Sequence, residues 1–217
     1  MTALIIAIDG PAAAGKGTLA RRLATHYGLP HLDTGLLYRI TGRRVLDAGG
    51  DPTDVVAAEA AARGIVPADL NRDDLRGPVA DEAASQVAAF PAVRGALLDY
   101  QRQFAGTRGA VLDGRDIGTV IFPDATAKLF VTASAEARGE RRYRELRARG
   151  VEAELGTVIA DIRARDAADE ARAVAPLRPA RDAMVLDTTE LDPEAAFERV
   201  MQLLRTKLVD WTDVRCV

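Results

Sequence analysis

Short, continuous apolar runs punctuate this chain: ALIIAI at 3–8, AVL at 110–112, AKLFVTA at 127–133 and AMVL at 183–186. None alternates with polar residues. That is the pattern of strands covered on both faces, and such strands belong to parallel sheets. A brief further strand is expected at His31 and Leu32. The segments between them keep helical spacing. From Lys16 to Tyr27, Leu19, Ala20, Leu23 and Ala24 share one face, and Gly28-Leu29-Pro30 ends the helix. A second helix begins near Asp33 and stops at Gly49-Gly50. Residues 51–80 are charged, alanine-rich and broken by Gly64, Pro67, Gly77 and Pro78, which reads as short helices and loops. Two helices separated by Pro91 follow, then one from Ser134 to about Arg149 and one from about Leu155 to Ala168. The last helix has Asp192 as its cap and Pro193 in its first position.

Strands that alternate with helices predict an α/β fold with a mainly parallel, doubly wound sheet. Ligands in such folds sit at the carboxyl ends of the strands. Asp9, Asp33, Asp113 and Asp187 are expected there. Carboxylates at strand ends also cap loops or pair with arginines, and that reading is strongest for Asp187.

A length of 217 residues suits one α/β unit with a small inserted lobe. The formal net charge of −3 lacks the basic excess of a polynucleotide binder, and an aromatic content of 5% leaves little for stacking on a strand. The only lysines are Lys16, Lys128 and Lys207, so the basic residues are almost all arginine. Composition bias accounts for most of them, and a few suit bidentate phosphate binding. With one cysteine, Cys216, and two histidines, His26 and His31, a disulfide framework and zinc sites of several Cys or His ligands are excluded. No apolar run reaches membrane-spanning length, and the N-terminal run lacks a basic leader and ends in an acid. The expectation is a cytoplasmic monomer with no membrane or nucleic acid partner. The tail after Val209 has no readable role.

The candidate chemistry starts at GPAAAGKGT: Gly10, Pro11, Ala12, Ala13, Ala14, Gly15, Lys16, Gly17 and Thr18. It fits G-x-x-x-x-G-K between a buried strand and a helix, the context of a phosphate-binding loop. Successive backbone N–H groups wrap the phosphates, the helix N-terminus adds positive potential, and Lys16 reaches the β and γ oxygens. Gly17 stands where Ser or Thr usually contacts Mg²⁺, and the hydroxyl comes one place later at Thr18. Two assignments stay open for Thr18: metal ligand, or partner of a phosphate oxygen with Mg²⁺ held through water. Asp113 is the candidate to hold that water.

Four further stretches narrow the reading: LDTGLLYR (32–39), AASQVAAFPAVR (83–94), LDGRDIGTVIFPDA (112–125) and RDAADEARAVAPL (165–177). With the G-K-G-T loop, and in this order over residues 3 to about 208, they resemble bacterial cytidylate kinases, nucleoside monophosphate kinases of the P-loop class. The resemblance implies a five-stranded parallel sheet in a core of residues 1–33 and 106–217. It also implies an acceptor-binding lobe at 34–105 and a lid at about 148–175. The implied activity is transfer of the ATP γ-phosphoryl group to CMP or dCMP with Mg²⁺. By the same resemblance Arg39 and Arg115 clamp the acceptor phosphate and Arg172 acts near the transferred group. Arg165 and Asp169 hold the ribose or join the phosphate cage. Ser85, Arg94 and Asp116 read the cytosine edge, and Thr34 and Tyr38 line the acceptor pocket. Catalysis would fall to Lys16, Arg115, Arg165 and Arg172.

The sequence departs from the family in two places. The stretch before AASQVAAFP is short and poor in strand formers, where relatives carry a small antiparallel sheet, and a frequent loop glycine is Ala13. Other readings stay open for single residues. Arg39 shares a helix with Arg43 and Arg44 and also fits a solvated face. Arg165, Asp169 and Arg172 keep a spacing that surface ion pairs use. Arg141 and Arg142 fit either a donor contact or an exposed basic helix. Rival functions are a kinase for UMP or another small acceptor, and a P-loop switch protein without an acceptor.

Overall fold

In the computed structural model, residues 3–208 are described; the tail after Val209, with Cys216, lies outside them. Five strands form one sheet: β1 (Ile5–Asp9), β2 (His31–Asp33), β3 (Ala110–Gly114), β4 (Ala127–Thr132) and β5 (Met184–Asp187). Their order is β2-β3-β1-β4-β5, and β1 runs parallel to both β3 and β4, as β4 does to β5. The α/β reading with a parallel, doubly wound sheet therefore holds. The strand order reverses at β1, which makes its carboxyl end the switch point where ligands bind in open α/β sheets. β3 runs two residues beyond the expected Leu112, because Asp113 and Gly114 pair in register with Ile8 and Asp9.

The chain divides into two compact units, Met1–Leu32 with Ala105–Val217, and Asp33–Phe104. In the first, helices α1 (Lys16–Tyr27) and α8 (Pro193–Arg205) flank the sheet. Ile6, Ile8, Leu19, Leu23, Leu129, Val131, Val200 and Leu204 form its core. Each such side chain contributes roughly 1.5–3 kcal/mol of transfer free energy against the entropy of ordering it. Asp192 caps α8 through the N–H groups of Glu194 and Ala195, with Pro193 at the first position as expected. Helices α6 (Ala135–Ala148) and α7 (Leu155–Glu170) enclose a smaller cluster of Leu146, Val158 and Ile162.

The second unit is helical: α2 (Thr34–Asp47), α3 (Val55–Arg63), a 3-10 turn (Pro67–Asn71), α4 (Pro78–Ala88) and α5 (Pro91–Ala105), whose last residue lies in the first unit. Apart from Asp33, the last residue of β2, its described residues include no strand. Gly42 lets α2 and α4 approach closely: a Cβ there would stand 2.7 Å from Ala83 Cβ and 2.9 Å from its carbonyl carbon. Among the described residues, no helix is long and apolar enough to cross a membrane.

Candidate phosphate-transfer site

The loop after β1 is built by close approach. Gly10 has φ 147°, and a Cβ on it would lie 1.9 Å from the Val131 carbonyl oxygen of β4, so only glycine fits. Ala13 adopts φ 58°, a left-handed conformation that L residues seldom take. Gly15, at φ 91°, opens α1. The Lys16 side chain is buried and folds back so that Nζ donates to the Pro11 carbonyl at 2.8 Å. This bond presets the ammonium over the loop while satisfying it locally. Gly17 and Thr18 start the helix, and Thr18 Oγ1 accepts a 3.5 Å bond from Arg21 Nη2.

Two carboxylates sit beside this loop. Asp9 ends β1 and is buried; its two oxygens accept from the N–H groups of Ile117 at 2.7 Å and Gly118 at 2.8 Å. They anchor a π-helical turn (Ile117–Ile121), so the segment bearing Arg115 and Asp116 is tied to the strand that launches the loop. Burial pushes the Asp9 carboxyl up to about 6, against the pull of the two backbone bonds; the Asp116 charge raises it further and Lys16 lowers it. Asp113 Oδ1 lies 2.6 Å from His31 Nε2. Its Oδ2 faces Gly17, 3.8 Å from where a Cβ would stand.

That geometry bears on Mg²⁺. Among the described residues no group of three or more His, Cys, Asp or Glu side chains could cage an ion. One carboxylate oxygen beside the start of α1 fits a cation that keeps several waters and takes its remaining oxygens from substrate phosphates.

An arginine cluster forms the other part of this unit. Asp169, on α7 and 1% exposed, accepts from Arg115 Nε at 2.8 Å and from Arg172 Nη2, and Arg165 acts on it electrostatically. Burial alone would raise the Asp169 carboxyl, but the charges of Arg115, Arg172 and Arg165, with the Arg115 bond, hold it below the usual carboxylate range. Arg115 and Arg172 thus share one buried carboxylate, which a row of surface pairs would not do. Asp116 is also buried, at the start of the π-helical turn.

In the helical unit, Arg39 Nε donates to Asp81 Oδ1 at 2.9 Å, from α2 to α4. Arg94, on α5 and buried, donates from Nη1 to the Ala88 carbonyl at 3.3 Å and lies over the Tyr38 ring, 5.5 Å from its centroid. Thr34 and Tyr38 are buried on α2, and Ser85 is half-buried on α4. Asp187 serves its own turn, accepting from the N–H and hydroxyl of Thr189. The Arg141 guanidinium donates to the Thr188 hydroxyl and carbonyl. Sequence reasoning missed Arg138, Asp166, Thr188 and the partnership of His31 with Asp113. Of these only Asp113 had a signal, its place at a strand end.

A phosphate loop at the switch point, with arginines from α7, from just beyond it and from just beyond β3 about one carboxylate of the same unit, defines a P-loop phosphotransferase of the α/β class. A protein named cytidylate kinase from Granulibacter bethesdensis is 66% identical over 204 residues, 94% of this chain and 98% of that protein. Another of that name, from Methylocella silvestris, is 60% identical over 204 residues, covering 94% of each. A solved structure of an uncharacterized protein from Eubacterium ventriosum shares the fold, with a TM-score of 0.54 at 14% identity over 94% of this chain and 99% of that one. The family model described as cytidylate kinase matches residues 6–206, and the chain belongs to that family.

Proposed function

We propose that the protein transfers the γ-phosphoryl group of ATP to CMP or dCMP, giving ADP and the nucleoside diphosphate. The observation that carries this reading is the cluster of Arg115, Arg165 and Arg172 about Asp169, in the same unit as the phosphate loop. A switch protein needs one anion site; a kinase must hold a second anion against the repulsion of the first. In the reaction a phosphate oxygen of CMP forms a bond to the γ-phosphorus while the bond to the β–γ bridging oxygen breaks. Little covalent chemistry is asked of the protein, so its part is positioning and charge.

In this reading the loop N–H groups and Lys16 bind the ATP phosphates, and Lys16 exchanges its bond to Pro11 for the β and γ oxygens. Arg39 and Arg115 clamp the acceptor phosphate, and Arg165 and Arg172 carry the charge that develops on the moving group. Asp113 would hold Mg²⁺ through water, and the ion would supply charge neutralisation of the phosphates. Ser85, Arg94 and Asp116 read the base: a carboxylate accepts from cytosine N4, while arginine and serine donate to N3 and O2. Uracil lacks the N4 donor, so UMP would leave the carboxylate unpaired. Thr34 and Tyr38 line the pocket.

The test is ADP release with ATP, Mg²⁺ and separate CMP, dCMP, UMP and AMP. Fast turnover of CMP and dCMP alone is expected, and it is abolished by Lys16→Ala in a folded protein. Equal use of UMP or AMP would overturn the roles of Ser85, Arg94 and Asp116. No stimulation by any monophosphate would return the switch-protein reading.

A further inference from the structure

The phosphate loop is held from behind by side chains that the proposed reaction does not use. Arg138, on α6, is only 4% exposed. Its Nε donates to the Ala133 carbonyl at 2.8 Å, beyond the end of β4. Its Nη1 donates to the Ala12 carbonyl of the phosphate loop at 3.3 Å. The guanidinium also forks onto Asp166 of α7, Nη1 to Oδ1 at 3.0 Å and Nη2 to Oδ2 at 2.6 Å. A second tie lies two residues on, where the Thr188 hydroxyl donates to the Ala14 carbonyl at 3.0 Å.

These bonds have a geometric consequence. A trans peptide points its C=O and the next N–H in opposite directions. With the carbonyls of Ala12 and Ala14 turned to Arg138 and Thr188, the N–H groups of Ala13 and Gly15 are turned away from them. Between the two ties sits Ala13 in its left-handed conformation, which persists only where the surroundings over-determine it. Asp166 in turn follows Arg165 directly and lies three residues before Asp169. One ion pair therefore touches both the loop and the helix that carries Arg165 and Asp169. A buried guanidinium is costly unless charge-paired, so removing Asp166 should disturb Arg138 at both ends.

We propose that Arg138, with Asp166 as its counter-ion, is a positioning residue that fixes the Ala12 peptide of the phosphate loop in register with the arginine-bearing helix α7. The proposal rests on the kinase reading for its catalytic arm, but not for its nucleotide-binding arm.

The experiment compares wild type with Arg138→Lys, Asp166→Asn, Asp166→Glu and the Arg138→Lys/Asp166→Asn double variant. Folding is followed by circular dichroism and melting. ADP affinity is measured by calorimetry with no acceptor present, and kcat and KM are measured with ATP and CMP. Each neutralising or shortening change is expected to weaken ADP binding and to lower kcat by about tenfold to a hundredfold, the cost of a small misplacement at the reacting groups. KM for CMP should stay near wild type. The double variant should be no worse than the weaker single one, because both break one linkage. Asp166→Glu should recover part of the loss.

Folded variants with wild-type kcat and ADP affinity would overturn the proposal, whatever their melting temperature. So would additive losses in the double variant, or a defect confined to CMP. Should Arg138→Lys fail to fold, Asp166→Asn and Asp166→Glu decide between the same two outcomes. Should wild type not phosphorylate CMP, the kinase reading falls, and ADP affinity still decides the role of Arg138.

Discussion

Arginines are used in two ways in the two units. At the end of α7, Arg115, Arg165 and Arg172 act on one carboxylate, Asp169, which is almost fully buried. In the helical unit, Arg43 and Arg72 share Asp47 and Asp74 in a closed network of contacts between 2.7 and 2.9 Å. Its side chains are 28–40% exposed. Two charges of each sign balance there, in water. Around Asp169, which is almost fully buried, two guanidiniums bond one carboxylate and a third acts on it electrostatically, an arrangement that stability alone does not favour. Balanced and solvated charge is surface; convergent, desolvated charge suits an anionic ligand. Residue type alone does not separate the two, whereas sharing and burial do.

The comparison breaks most visibly at Asp169. Asp169→Asn keeps the shape and removes the carboxylate that these three guanidiniums share. Loss of one partner from a buried pair costs about 3–5 kcal/mol. For a chain of this size that lowers the melting temperature by roughly 10 °C. The measurement is a melt without ligand. An unchanged melting temperature would mean that Asp169 does not hold the cluster together and that the contrast with the helical unit is false.

The next test sets Asp169 against Asp9, two buried carboxylates of one unit shifted in opposite directions. Asp9 has backbone N–H groups where Asp169 has guanidiniums, and burial wins: its folded value of about 6 exceeds the ordinary 3.8. Between those values the folded protein binds more protons than the unfolded chain. The Asp9 contribution to stability therefore falls as pH rises from about 4 to about 6. Asp169 runs the other way. Its stabilisation is present above the ordinary carboxylate value and is lost only as pH falls through its lowered one. Unfolding of wild type and Asp9→Asn should be followed from pH 7 down to pH 4. The difference should grow in favour of wild type by on the order of 2 kcal/mol. A flat difference would show that Asp9 is solvated like the aspartates of the helical unit.

The sheet and the phosphate loop were legible because their signals are local: unbroken apolar runs, and glycines at fixed spacing beside one lysine. The arginines were not separable in this way. In SAEARGERRYRELRARG, Arg138, Arg141 and Arg142 look alike, and only the packing of α6 against α7 buries Arg138 on Asp166 and turns Arg141 to Thr188. His31 and Asp113 lie 82 residues apart, and nothing near either residue announces the pair. The roles given to Ser85, Arg94 and Asp116 came from resemblance, since no spacing rule encodes a base-reading edge. Arg39 was open between clamp and solvated face; both it and Arg43 on the same helix pair with carboxylates, and its side chain is 22% exposed against 34%.

The smallest effect is expected at Arg72, and it is the sharpest control. Arg72 bonds Asp74 and Asp47, and these bonds raise its guanidinium above its usual range and lower Asp74. Such shifts do not make the pair a strong stabiliser, because the side chains are solvated and water screens them. Arg43 also bridges both aspartates, so Arg72→Ala leaves neither without a cation. The loss should be about 0.5 kcal/mol, should vanish in roughly 1 M salt, where charges are screened within about 3 Å, and should leave CMP turnover unchanged. Melting and turnover at low and high salt measure this. A loss several times larger that persists in salt would mean that the network is a buried site in its own right, and that exposure does not mark the boundary between the two kinds of arginine.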